Sequence, residues 1–107
     1  MAKTPSIRAL TVHTGVLCQR GDKTELFALA HTLTKEMPEE PLAWYAVGCY
    51  YYLLHKYEAA RKYFSKCTAM DPKYVLGWMG LAHSFSAEDE YDQAMNAYRA
   101  VIRMFDG

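Results

Sequence analysis

Three cysteines, four histidines and a few serines and aspartates are the residues of this 107-residue chain that could ligate a metal or act as a nucleophile with its base. Their spacing argues against both. Cys18, Cys49 and Cys67 form no Cys-x2-4-Cys pair, and His13, His31, His55 and His83 form no His-x3-5-His pair, so nothing local gathers zinc ligands. Cys18 with His13 and Cys49 with His55 stand as isolated pairs. His83, Ser84 and Asp92 are of triad type, yet neighbouring residues of a helix point about 100° apart. The acidic run Glu88 to Asp92 lacks the glycine and terminal glutamate of a calcium loop. It reads as a turn whose carboxylates complement the positive end of the last helix, with an acidic docking spot as its functional alternative. Gly77 and Gly80 read as small packing residues inside a helix, not as a phosphate loop. No catalytic, metal-ligating or cofactor-binding residue is expected, and no cofactor.

The composition points the same way. With 12 Lys+Arg against 12 Asp+Glu the chain is neutral, which provides no electrostatic footprint for nucleic acid or an anionic membrane. The longest nearly uncharged run, Met37 to Leu54, is broken by Glu39, Glu40 and two prolines and cannot be a membrane span. No secretory signal is visible at the N-terminus, and three cysteines 31 and 18 residues apart offer no disulfide framework, so an intracellular protein is expected. The length allows one domain. A 51% share of AVILMFWYC residues, with nine tyrosines, suits a packed core.

What must position these side chains is a repeat. Shifting the chain by 34 residues lays Trp44 on Trp78, Val47 on Leu81, Gly48 on Ala82, Tyr51 on Phe85, Tyr57 on Tyr91, Ala60 on Ala94 and Phe64 on Tyr98. A shift the other way places Leu17 at the Tyr51 position, Gly21-Asp22 at the turn and Pro38 at the place of Pro72. Trp44, Val47, Gly48 and Tyr51 recur at i, i+3, i+4 and i+7, one face of a helix. Ala60, Phe64 and Cys67 face it from a second helix across the turn at His55-Lys56, and Pro38 and Pro72 stop each second helix. The spacing predicts helices over Ile7–Arg20, Lys23–Glu36, Pro41–Leu54, Tyr57–Met70, Val75–Ala87 and Tyr91–Phe105, with only Tyr51 of the Tyr50-Tyr51-Tyr52 run in the intramolecular stripe.

This pattern resembles the 34-residue tetratricopeptide repeat. The resemblance implies an all-α fold of three helix-turn-helix units in a short right-handed solenoid: an N-terminal extension at 1–6, a divergent repeat at 7–40, and repeats at 41–74 and 75–107. In the first, Leu10 replaces the tryptophan, His13-Thr14 the aliphatic-glycine pair, and Ala30 the aromatic ring. No capping helix is expected after the third. Val101, Ile102 and Phe105 of the last helix are therefore expected to contact a neighbour or a second copy at the end of the array.

More specific stretches are Trp44 to Tyr52 (Trp-Tyr-Ala-Val-Gly-Cys-Tyr-Tyr-Tyr), Ala60 to Lys66, Gly77 to Phe85 with its Ala-His-Ser-Phe ending, and Glu90 to Met95. They resemble the tetratricopeptide scaffold subunit six family of the anaphase-promoting complex, the cell division cycle protein 16 type. Val12 to Gly15 and Glu25 to His31 are similar to the preceding repeat of that family. The resemblance implies a non-catalytic scaffold in a ubiquitin ligase for mitotic regulators, in nucleus and cytoplasm. Its implied partners are other subunits of the complex and the N-terminal segment of a small accessory subunit. An adaptor that binds a free peptide in another pathway is the alternative.

In a helix-pair solenoid the first helices line the concave surface, offset by one residue from the packing stripe. That selects Leu42, Tyr45, Cys49 and Tyr52, then Leu76, Met79, His83 and Ser86, and from the first repeat Arg8, Thr11, Gly15 and Cys18. Of these, Tyr45, Cys49, Tyr52, Leu76, Met79 and His83 are the expected peptide-binding groove, apolar and aromatic. The two-carboxylate clamp of co-chaperone modules is missing: its places hold Thr11, Gly15, Ala46, Leu76 and Gly80. Arg61, Lys62 and Lys66 read as a solvated basic strip on an outer helix, with a subunit contact on the convex side as its functional alternative.

Overall fold

Ser6 opens the first helix by accepting a hydrogen bond from the Ala9 N–H at 3.0 Å, and Gly21 closes it in the left-handed conformation at φ 69°. The computed structural model describes residues 6–106, and its regular elements are six helices. They are α1 (Ile7–Arg20), α2 (Lys23–Glu36), α3 (Pro41–Leu53), α4 (Tyr57–Met70), α5 (Val75–Ala87) and α6 (Tyr91–Asp106). The two ends that differ from the sequence reading, at Leu53 and Asp106, do so by one residue. Asp22 caps α2 through the Glu25 N–H, and Pro41 starts α3 where its missing N–H costs no helical bond.

Three devices recur at the 34-residue interval and explain why the units fold alike. First, the turn inside each helix pair carries a left-handed residue: Gly21, His55 at φ 60° and Asp89 at φ 61°. Secondly, the side chains of His55 and Asp89 each meet a tyrosine hydroxyl two residues on, in Tyr57 and Tyr91, both at 2.7 Å. Thirdly, the indole N–H of Trp44 donates to the Pro38 carbonyl at 2.7 Å, and that of Trp78 to Pro72 at 2.8 Å. Each tryptophan thus fastens the start of a first helix to the loop that precedes it.

The molecule measures 48 × 33 × 20 Å, a thickness that matches two layers of helices. The first helices α1, α3 and α5 lie side by side, while α2 packs on α3 and α4 on both α3 and α5. The core runs between the layers through Leu17, Leu26, Leu33, Leu42, Ala43, Ala46, Ala60, Phe64 and Ala82. Phe64 is its keystone. A Cβ added at Gly48 of α3 or at Gly80 of α5 would come within 2.6 Å of the Phe64 ring, so both glycines exist to admit it.

Several side chains sit elsewhere than the sequence reading placed them. Leu42, expected in the groove, is 1% exposed, because α3 is flanked on two sides and Leu42 and Ala43 of its first turn face its neighbours. Tyr50 and Tyr52 also belong to the packing: Tyr50 lies 5.2 Å from the Phe27 ring on α2, and Tyr52 5.3 Å from Tyr57. Val101 is a correction to the expected end-of-array contact, since it turns inward on the same face of α6 as Ala94 and Ala97. Ile102 and Phe105 remain exposed, with Tyr91 and Met95.

Arg61 is also no part of a solvated strip. Its guanidinium spans to α5, donating to the Ser84 carbonyl at 3.2 Å, pairing with Glu88 at 2.6 Å and lying 4.6 Å over the Phe85 ring. A cation is favoured there by the negative end of α5. Lys66 covers the Trp44 ring at 3.6 Å, and Tyr63 stacks on both Trp44 and Tyr51.

Candidate functional site

The layer of first helices forms one wall of a pocket of about 410 Å³. From α3 come Tyr45, Cys49 and Tyr52; from α5 come Leu76, Met79 and His83. The six residues picked from the sequence as a groove are thus brought together around one hollow. Gly15 and Cys18 of α1 join them, whereas Arg8, Thr11, Leu42 and Ser86 do not line it. Thr11 instead turns its hydroxyl back to the Ile7 carbonyl at 2.7 Å, as helical threonines do.

Three lining residues were missed by the sequence reading: Gln19, Gly80 and Phe64. Phe64 comes from α4 in the other layer and reaches the pocket through the gap that Gly48 and Gly80 leave. The signal for it was present in the sequence as small residues on two first helices facing one ring. Gln19 follows Cys18 directly and closes the α1 end.

The depths of the six differ. Cys49 is 2% exposed, Tyr45 rests edge to face on Tyr74 and tilted on Phe64, and only His83 is well exposed, with its ring 6.0 Å from Tyr98. Burial raises the Tyr45 and Tyr74 phenols far above their ordinary values, so both are neutral hydroxyls. Among the described residues no Asp, Glu, Lys or Arg lines the pocket. Its polar atoms are a carboxamide, an imidazole, thiols and phenols, which hydrogen-bond without demanding a charged partner. Such a wall accepts an apolar or aromatic side chain carried on a segment that also offers backbone donors and acceptors.

A second hollow of about 560 Å³ lies at the α3–α4 turn, between His55, Lys56, Glu58, Lys62 and Glu88. Its charges are mixed, two lysines and two glutamates, and only Tyr57 and Ala59 of its lining are aromatic or aliphatic, so it offers less apolar anchoring surface than the first.

Comparison with known proteins now decides the family. The tetratricopeptide repeat pattern matches residues 41–74 and again 77–105. The chain belongs to the tetratricopeptide repeat family. Among relatives, it is 43% identical over 101 residues to anaphase-promoting complex subunit 6 of Arabidopsis thaliana, covering 94% of this chain and 19% of that protein. It is 43% identical over 99 residues to the cell division cycle protein 16 homolog of Homo sapiens, covering 92% of this chain and 16% of that one. The crystal structure of the APC/C hetero-tetramer Cut9-Hcn1 contains a similar chain, with a TM-score of 0.88 at 39% identity over 92% of this chain and 19% of that one. The tetratricopeptide units seen here therefore span less than a fifth of the length of these relatives. The resemblance read from the sequence to scaffold subunit six of the anaphase-promoting complex is supported by both comparisons.

Proposed function

We propose that this chain serves as a non-catalytic scaffold segment in an assembly of the anaphase-promoting complex type, inside the cell and mainly in the nucleus, with a cytoplasmic share. The observation that carries the reading is the sustained identity to subunit 6 relatives across nearly the whole chain, far beyond what the repeat alone requires. The three units divide at 7–40, 41–74 and 75–107, after an extension at 1–6.

Within that assembly, the pocket formed by Tyr45, Cys49, Tyr52, Leu76, Met79 and His83 holds a segment of another subunit. The N-terminal segment of a small accessory subunit is the proposed occupant. The lining supports an apolar, extended or helical segment over a carboxylate-tipped tail, because no lysine or arginine among the described residues of the wall would pair with a buried carboxylate. Ile102 and Phe105, exposed at one end of the array, are proposed to meet a further repeat or a second copy.

The test is affinity purification of the full-length natural protein, followed by mass spectrometry, for the wild type and for Met79→Glu. Met79 is half-buried on the pocket wall and its replacement places an unpaired charge where the segment would lie. The wild type is expected to recover cyclosome subunits. The variant should lose the groove-bound subunit by about tenfold or more while the other subunits remain. Recovery of an unrelated set of partners would overturn the complex, and equal recovery of every subunit by both proteins would overturn the groove.

A further inference from the structure

The two junctions between repeats carry equivalent positions with opposite chemistry. A shift of 34 residues lays Lys23, Thr24, Phe27, Tyr50 and Leu54, where α2 meets α3, on Tyr57, Glu58, Arg61, Ser84 and Glu88, where α4 meets α5. The second junction closes on itself, because Arg61 donates to the Ser84 carbonyl, pairs with Glu88 and lies over the Phe85 ring. The first does not. Phe27 stands where Arg61 does, tilted against Tyr50 and stacked on His31, and it is 55% exposed. The repeat fold does not require an exposed ring there, since a charged side chain fills the same place one repeat later.

Around Phe27 the residues of the first junction surround a hollow of about 370 Å³, at the edge of the array where α2 begins and α3 ends. It shares no lining residue with the pocket of Tyr45 and Met79. Two rings and the Leu54 side chain supply its apolar wall, and Lys23, one turn before Phe27 on the same face of α2, supplies its charge. Among the described residues no carboxylate lines the hollow and none pairs with Lys23. The neighbouring Asp22 carboxylate is occupied in capping α2 through the Glu25 N–H. Lys23 also lies in the first turn of α2, where the helix dipole disfavours a cation and favours an anion. An apolar ligand alone would leave this ammonium unanswered, whereas a carboxylate beside the apolar group would meet it.

We propose that this hollow is a second docking surface, which receives from a partner protein a segment with a leucine, isoleucine or aromatic anchor and an aspartate or glutamate next to it. The anchor lies against Phe27, Tyr50 and Leu54 and removes the exposed ring from water, while the carboxylate meets the Lys23 ammonium. A basic segment is disfavoured by Lys23 and the helix end together. The surface stands apart from the proposed groove, so the scaffold holds a segment there whether or not the groove is filled.

The test selects random displayed peptides on the whole chain and measures those recovered, by fluorescence polarisation, against the wild type, Phe27→Arg, Lys23→Glu and Met79→Glu. Phe27→Arg installs the residue that the next repeat carries at this place, and Lys23 is exposed, so both variants are expected to keep the fold, which circular dichroism checks. Lys23→Glu decides alone should Phe27→Arg unfold. The expected result is a class of peptides with an apolar anchor beside an acidic residue, bound about tenfold or more weakly by Phe27→Arg and about threefold or more weakly by Lys23→Glu. Met79→Glu should bind them as the wild type does, which separates this surface from the groove. Recovery of no peptide that these two changes weaken, recovery of basic peptides at this site, or equal weakening by Met79→Glu would overturn the proposal. So would a wild-type chain that dimerises in sedimentation while Phe27→Arg stays monomeric, because a second copy would then fill the hollow.

Discussion

The second and third repeats are built from one set of parts, and the first reaches the same fold with different ones. In the later pair an indole fastens each first helix to the preceding loop, a left-handed His55 or Asp89 turns the chain, and an aromatic ring at Phe64 or Tyr98 fills the space between helices. The first repeat has Leu10 where an indole would be, Gly21 at the turn and Ala30 in place of the ring. It compensates locally. Ser6 caps α1, Asp22 caps α2, and Thr14, fully buried in the place of a glycine, satisfies its hydroxyl on the Leu10 carbonyl at 2.8 Å. The lesson is that the repeat conserves a geometry, two packed helices and a left-handed turn, and that ring-into-glycine packing is one solution to it.

The sharpest way to break this comparison is to add one methyl group at equivalent depths. Gly48 and Gly80 press against the Phe64 ring, whereas a Cβ at Gly15 of α1 meets nothing within 4 Å. Gly80→Ala should destabilise the chain by about 1–3 kcal/mol, because the added Cβ would lie 2.6 Å from the Phe64 ring and force it from its packed position. Gly15→Ala should instead stabilise it by about 0.5–1 kcal/mol through helix propensity. Urea unfolding followed by circular dichroism measures both. If Phe64→Leu, placed in the Gly80→Ala background, recovers none of the loss, the clash is not with the ring and the keystone assignment fails.

Helix ends were legible in the sequence because their causes are local: prolines and a Gly21-Asp22 turn, to which the structure adds the capping side chains of Ser6 and Asp22. The pocket was legible because an offset of one residue from a packing stripe names a face of a helix. That rule failed where a helix has neighbours on more than one side. Leu42 follows the same offset as Tyr45, yet it is closed over while Tyr45 lines the pocket. Arg61 reads as one of three basic residues on an outer helix, and only the tertiary placement of Ser84, Phe85 and Glu88 beside it reveals a link between repeats. That Cys18 of α1 and Cys49 of α3 line one pocket depends on the packing of α1 along α3, which no spacing within either helix encodes.

The smallest effect sharpens the comparison at the turns, where three different residues hold one conformation. Gly21 adopts φ 69° without steric cost, while His55 and Asp89 adopt φ 60° and 61° with a side chain in place. Gly21→Ala should therefore destabilise the first repeat by about 1 kcal/mol, since alanine gains the clash and no compensating bond. His55→Gly relieves a clash of similar size but surrenders the 2.7 Å bond to the Tyr57 hydroxyl, an exposed bond that contributes little. The net change should be a gain of about 0.5 kcal/mol or less, partly offset by the greater freedom of glycine in the unfolded chain. Asp89→Gly should behave alike, because its bond to Tyr91 has the same length and the same exposure. A loss above about 1 kcal/mol in either glycine variant would mean that the side-chain bond, not the backbone, holds the later turns. The first repeat, with no such bond, would then be the exception in mechanism as well as in sequence.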